Sequence, residues 1–219
     1  MAALTLVIGN KNYSSWSLRP WLLMRQAGIP FEELRIPLYR DDTRAQIAAL
    51  SPSGLLPVLR HGQAAVWDSL AICEHVHELY PDRALWPVDQ TARAVARAAA
   101  AEMHAGFRAL RRHMPMNCRG HFPGRGLTPE TEADIRRIHE LWRQCRTQFG
   151  AAGPMLFGGF TIADTMYAPV ALRFQTYDVP LDPICAAYVT TLLNLPAMRE
   201  WVTAAHSETE RLEQFEPYA

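Results

Sequence analysis

Cysteine is scarce and scattered in this 219-residue chain: Cys73, Cys118, Cys145 and Cys185 form no C-x-x-C pair and have no histidine nearby at metal-ligand spacing. The missing dithiol pair excludes disulfide exchange, and no metal site is expected. Each cysteine lies in an apolar, helix-like stretch, where a reduced thiol behaves as a small hydrophobe. A reducing, cytoplasmic setting is therefore expected. A charge excess is missing too: Lys+Arg and Asp+Glu number 22 each. No overall field draws the chain to nucleic acid or to an anionic membrane. No run approaches the roughly 18 apolar residues that a membrane span requires. Residues 1–10 lack the basic start and long apolar core of a secretory signal. No nucleic-acid partner and no membrane partner is expected. Internal repeats and low-complexity tracts are lacking as well. What is present, 49 % apolar and 20 % charged residues, is the composition of a globular protein with room for one large domain or two modest ones.

The first third of the chain alternates strand and helix signals. Residues 4–8 are a short apolar run ended by Gly9-Asn10, which predicts a buried strand. After a polar loop, residues 18–27 read as a helix closed by Gly28 and Pro30, with Pro20 in its first turn and Ser17 as its cap. Residues 31–38 alternate apolar and charged side chains, as a half-buried strand does, and residues 43–50 form a short helix. Two strands, 57–59 and 64–67, are joined at His61-Gly62, and a helix over 69–80 follows. The order β-α-β-α-β-β-α describes an α/β layer.

Beyond Pro81 no strand signal is left. Val95, Ala99, Met103, Phe107, Leu110 and Met114 step by three or four and predict one long helix ended by Pro115. Ile135, Ile138, Trp142, Cys145 and Phe149 repeat the spacing in a helix opened by Pro129. Thr161-Ile-Ala-Asp164 has the form of a capping box before an apolar helix. Two shorter helices are expected over 185–194 and 196–206, and the polar tail 207–219 is expected to pack on the surface or fray.

Four segments, in this order and at these distances, resemble the glutathione transferase family along nearly the whole chain. Asn12-Tyr-Ser-Ser-Trp-Ser-Leu-Arg-Pro-Trp21 is similar to the serine-type active-site loop, nearest to zeta-like bacterial members. Leu55-Leu-Pro-Val58 is similar to the family's cis-proline segment, and Trp67-Asp-Ser-Leu-Ala-Ile72 to its acidic-Ser pair. The box at Thr161–Asp164 is similar to the opening of the central helix of the second domain. The resemblance implies a glutathione transferase fold: a thioredoxin-like α/β domain over residues 1–83, a linker over 84–90 and an all-α domain over 91–219. It also implies glutathione as co-substrate, a small electrophile as second substrate, a role in detoxification, and a homodimer.

The chemistry requires the glutathione thiol to ionise. A free thiol titrates near about 8.5, and lowering that by about two units takes roughly 2.7 kcal/mol of differential interaction. A hydroxyl donor beside the positive end of a helix is a suitable source. The resemblance implies Ser14 as that donor, with Ser15 as second donor; read without it, Ser14, Ser15 and Ser17 are turn and cap residues. Tyr13 is a rival hydroxyl. The resemblance further implies a cis Leu56–Pro57 bond that turns the Leu56 backbone toward the cysteinyl part of glutathione. Asp68 and Ser69 would hold the γ-glutamyl end, Ser69 its carboxylate and Asp68 its ammonium group; the bland reading makes Asp68 a helix cap. In the second domain His104, Arg108 and Arg111 are candidate substrate-binding groups, an arginine serving a carboxylate, against the alternative of a solvated helix face. Use of the same site to isomerise a conjugated acid is an alternative activity, weakened by Trp16 where zeta members carry cysteine. A non-catalytic binding or regulatory protein on the same fold is another.

Overall fold

The computed structural model describes residues 3–218. Its first part runs β1 (Leu4–Ile8), α1 (Ser15–Gln26), β2 (Glu32–Arg35), α2 (Thr43–Leu50), β3 (Val58–His61), β4 (Ala64–Trp67) and α3 (Ser69–Leu79). The sheet order is β2-β1-β3-β4, with β2 parallel to β1 and both β3 and β4 antiparallel to their neighbours. β1 lies inside the sheet and is covered on both faces, which is why it reads as an unbroken apolar run. Leu6 and Ile8 face α1 and α3, while Val7 packs with Ile36, Ile47 and Val58 on the α2 side. This is the α/β layer expected from the element order, and the thioredoxin-like one that the resemblance implies.

Six α-helices make up most of the rest of the described residues: α4 (Gln90–Ala105), α5 (Arg108–His113), α6 (Pro129–Phe149), α7 (Ile162–Thr176), α8 (Pro183–Leu193) and α9 (Pro196–His206). α7 is the central element, buried on nearly every face. Its Thr161–Asp164 box is formed as predicted, with Asp164 accepting from the Thr161 N–H at 2.8 Å. One continuous core joins α1 and α3 to α4, α6, α7, α8 and α9. No helix among the described residues is long and apolar enough to cross a membrane.

Two expectations are corrected. α1 starts at Ser15, not at residue 18, because Ser14 rather than Ser17 caps it. Pro20 therefore lies inside the helix and denies the Trp16 carbonyl its partner four residues on. The long helix predicted to Met114 is broken at Gly106-Phe107. A side chain on Gly106 would stand 2.7 Å from the Glu102 carbonyl oxygen. Phe107 then takes a left-handed backbone (φ 53°) and α5 restarts on a new axis, its Leu110 N–H held by Asp134 at 3.0 Å. The tail, expected to pack on the surface or fray, takes the first course. Glu208 accepts from the Lys11 and Asn12 backbone N–H groups at 2.7 and 3.0 Å, and Tyr218 donates to the His113 carbonyl at 2.9 Å.

Candidate functional site

A cleft of about 680 Å³ opens between the sheet layer and the helices. At its floor the α1 N-terminus presents two hydroxyls, Ser14 and Ser15. Ser14 Oγ accepts from the Ser17 N–H at 3.3 Å and donates to Ser17 Oγ at 2.7 Å. Ser17 Oγ, fully buried, accepts in turn from the Gly9 N–H at 3.1 Å. The three groups form a short polarised chain that ends at the cleft. The free N–H groups of the first helical turn add a positive potential at the same point.

Tyr13 also reaches the cleft with its ring, but its hydroxyl is engaged elsewhere. It accepts from Arg119 at 2.9 Å and from the Leu212 N–H at 3.3 Å, and donates to the Glu216 carboxylate. Burial, and then Glu216, raise its pKa. The four thiols are equally unsuited to nucleophilic work: burial pushes Cys118, Cys145 and Cys185 up to about 12, and raises Cys73 as well.

Leu56, after Leu55 at the lip, lines the cleft ahead of the cis Leu56–Pro57 bond. Asp68 and Ser69 stand apart from the cleft-lining residues. Asp68 takes a left-handed backbone (φ 73°), and its Oδ1 caps α3 by accepting from the Leu70 N–H at 2.9 Å. The carboxylate is therefore both the cap of the bland reading and available at its second oxygen. That second oxygen lies 3.2 Å from Nε2 of His104 on α4, so His104 meets Asp68 across the two halves of the chain and does not line the cleft. Burial lowers the His104 pKa further than Asp68 raises it, which favours the neutral ring.

Ser69 is buried and accepts from Nη1 of Arg19 at 3.4 Å. Arg19 is the residue that sequence reasoning overlooked. Arg19 is 0 % exposed, its guanidinium stacks 4.2 Å from the Trp16 ring centroid, and its Nε and Nη2 have no hydrogen-bond partner among the described residues. Burial, with Arg173 and Arg111 nearby, depresses its pKa to about 9, so it is still a cation at neutral pH. The one sequence signal was an arginine in the middle of the apolar part of α1, whose other arginine, Arg25, sits exposed in the last turn.

Arginines line the cleft from both halves of the chain: Arg40 and Arg44 around the start of α2, the former 3.4 Å from Glu210, with Arg111 on α5 and Arg173 on α7. No carboxylate among the described residues contributes to the lining. Arg111 lies 5.1 Å from the Trp16 ring and donates weakly to the His104 carbonyl at 3.4 Å. Burial first, and then Arg108, lower its pKa. Arg173 is fixed by the Met114 and Pro169 carbonyls at 2.8 and 3.1 Å. Arg108, a sequence candidate, is exposed and lies outside the lining, whereas Arg111, one turn further along α5, contributes to it. Apolar cover comes from Ile47, Leu38, Met116 and, from the tail, Phe215.

Two halves of this chain match models of one family. Residues 13–79 match the glutathione S-transferase N-terminal domain and residues 128–204 the glutathione S-transferase C-terminal domain. The probable maleylacetoacetate isomerase of Caenorhabditis elegans is 27 % identical over 206 residues, 90 % of this chain and 89 % of that one. Glutathione S-transferase Z2 of Arabidopsis thaliana is 23 % identical over 212 residues, 91 % of this chain and 93 % of its own. Two shorter matches, at 32 % and 34 % identity, span 37 % and 42 % of this chain and less than half of the relatives' own lengths. Among solved structures, a glutathione transferase homologue from Burkholderia with bound glutathione superposes with a TM-score of 0.71 at 21 % identity, covering 94 % of this chain and all of that one. The fold, the two domain matches and the serine-bearing helix end together place this chain in the glutathione S-transferase family.

Proposed function

We propose that the chain activates the glutathione thiol at the α1 N-terminus and transfers it to a small electrophile that carries an acid group. The carrying observation is the pairing of the Ser14–Ser17–Gly9 hydrogen-bond chain with a cleft lined by four arginines and, among the described residues, no carboxylate. When the sulfur arrives, Ser14 turns its O–H from Ser17 to the thiolate, and Ser17 turns its own O–H to Ser14. Ser14 keeps accepting from the Ser17 N–H throughout, so the helix cap is not lost. Each donor in the chain polarises the next, which favours the anion over the thiol. Ser15 is the second donor from the same wall.

The remaining glutathione contacts follow from the geometry described. Leu56 offers its backbone to the cysteinyl segment. Ser69, whose oxygen already accepts from Arg19, is left to donate its proton to the γ-glutamyl carboxylate; Asp68 accepts from the ammonium group with its second oxygen. Arg111, held on the Trp16 ring beside the sulfur, receives the acid group of the electrophile, a charge-assisted contact in a partly desolvated place.

The same arrangement supports isomerisation of a conjugated acid, and the arginine lining favours an acid in either case. There the thiolate adds to one alkene carbon and the former double bond rotates as a single bond. Elimination then re-forms the alkene and returns glutathione unchanged. Following the family, we place the protein in the cytoplasm as a homodimer, with detoxification as its role.

The deciding measurement is a calorimetric titration with glutathione, paired with thiolate absorbance across pH. Binding with a thiol pKa lowered by about 1 or more, equivalent to about 1.4 kcal/mol, supports the reading. Binding with an unshifted thiol reduces the site to a ligand pocket, and no binding leaves a scaffold. Turnover of an acidic electrophile against its methyl ester then tests the arginine lining.

A further inference from the structure

Away from the cleft, between α6 and the start of α8, three groups with metal-binding chemistry converge. His139 on α6, Asp182 at the cap of α8 and Cys185 in its first turn each offer a donor atom within 4.8 Å of the others. None of the three lines the cleft, and the glutathione chemistry makes no use of them.

The polar atoms of the cluster are incompletely satisfied. Oδ1 of Asp182 is committed, accepting from the Ile184 and Cys185 N–H groups at 3.0 and 3.1 Å. Oδ2 of Asp182 and Nε2 of His139 are both shielded from solvent and have no hydrogen-bond partner among the described residues. Cys185 is fully buried beside them, its sulfur 3.8 Å from the His139 carbonyl. Nη1 of Arg143, about half exposed, stands 3.8 Å from Asp182 Oδ2, beyond hydrogen-bond reach. The His139 ring meets Phe174 edge-on at 5.7 Å, which limits its rotation. Buried polar atoms are seldom left unpaired, and two of them beside a buried sulfur call for a common partner.

We propose that His139, Asp182 and Cys185 form a site for one divalent cation of the borderline class, zinc above all, that ties α6 to α8. Thiolate with imidazole selects such an ion over magnesium or calcium. Three protein ligands and one water complete a tetrahedral set. A tetrahedral zinc ion needs its donors about 3.5 Å apart, so side chains now spread over as much as 4.8 Å close by about an ångström on binding. Bonds form from the ion to one imidazole nitrogen, one carboxylate oxygen and the sulfur. Cys185 releases its thiol proton to solvent, as a coordinating thiol does. Arg143 turns outward as the ion takes over Oδ2. The helix cap survives, because Oδ1 makes it. Sequence spacing could not show the site, since the histidine comes from a different helix.

The test is a cobalt(II) titration of the full chain, stripped of metal and kept reduced with a phosphine. Glutathione is left out because it binds such ions itself. The expected result is saturation at one ion per chain, with a sulfur-to-cobalt charge-transfer band and the intense visible bands of tetrahedral cobalt, both removed by one equivalent of zinc. Cys185→Ala abolishes the charge-transfer band, and His139→Gln or Asp182→Asn weakens binding by about tenfold or more. Zinc raises the unfolding midpoint of the wild type and not that of Cys185→Ala. Asp182→Asn keeps the cap and carries the same readout should Cys185→Ala fail to fold. A titration without the charge-transfer band, or one whose band persists in Cys185→Ala, overturns the proposal. So does equal zinc uptake by wild type and variant.

Discussion

The Ser14 oxygen serves two structures at once, accepting the Ser17 N–H in the first turn of α1 and donating to the Ser17 hydroxyl. Removing it therefore has two separable consequences. Ser14→Ala is expected to lower stability by about 1 kcal/mol through the lost cap. It should also return the bound thiol toward its ordinary titration. The thiolate fraction at neutral pH then falls, cutting kcat/KM about tenfold for each pKa step of about 1 that is given back. Ser17→Ala leaves the Gly9 N–H unpartnered and removes the middle of the chain; its effect on the thiol should be smaller than that of Ser14→Ala but in the same direction. Thiolate absorbance against pH for the two variants checks both claims, and an unshifted titration in Ser14→Ala relative to wild type would count against the role given to Ser14. Arg111 belongs to the other substrate. Arg111→Gln is expected to raise KM for an acidic electrophile by about tenfold, a charged hydrogen bond contributing about 1.5–3 kcal/mol, and to leave KM for glutathione within about a factor of two. Equal change in both constants would place Arg111 on glutathione instead.

At the scale of elements, α7 and the tail decide how firmly the cleft is held. Asp164 is completely buried at the start of α7, accepting from the Leu156 and Thr161 N–H groups and from the Thr161 hydroxyl. Burial raises its pKa from 3.8 to about 6 against the pull of those donors. A carboxyl raised in the folded state binds its proton more tightly there than in the unfolded chain. Its contribution is thus full below about pH 4 and is lost as pH rises through about 6, by at most about 3 kcal/mol. Urea midpoints measured from pH 4 to 7 should fall for wild type relative to Asp164→Asn, and parallel curves would refute the linkage. The tail acts as a strap. Phe215 stacks on Tyr13 at 5.7 Å and meets Tyr39 at 5.8 Å, and Glu216 accepts from the Tyr13 hydroxyl and pairs with the Arg211 guanidinium. Tyr13→Phe should accordingly leave thiol ionisation unchanged while loosening the cleft wall, seen as faster amide exchange over residues 212–216. Loss of the lowered thiol pKa in that variant would restore Tyr13 as the donor.

For the whole molecule, what was legible in the sequence and what was not divide along a physical line. β1 announces itself as an apolar run because both its faces are covered, and helices such as α6 and α9 as a periodic stripe because one face meets the core. The helix-end serines and the cis Leu56–Pro57 bond were reached only through the resemblance to a family, since spacing alone reads the serines as caps and leaves the proline isomer open. Arg19, Arg173 and Phe215 were not legible, since burying a cation or swinging a tail residue into the cleft depends on partners distant in sequence. The same holds for Gly106, whose apolar stripe runs on through the break. Those distant partners are also what join the two halves. The Thr165 hydroxyl donates to the Arg19 carbonyl at 2.5 Å, and Trp21 of α1 meets Trp201 of α9 at 5.1 Å. His104 spans to Asp68, and a single core runs through all of these elements. A sheet layer cut free would expose the apolar faces of α1 and α3, a patch that water does not tolerate. The chain is therefore expected to unfold in one transition, with tryptophan fluorescence and far-ultraviolet dichroism coincident. Glutathione at about 100 times its Kd should shift that single midpoint by an amount corresponding to about 2.7 kcal/mol. Two transitions, with only the first moved by glutathione, would mean that the halves fold independently and that the interface merely positions the cleft.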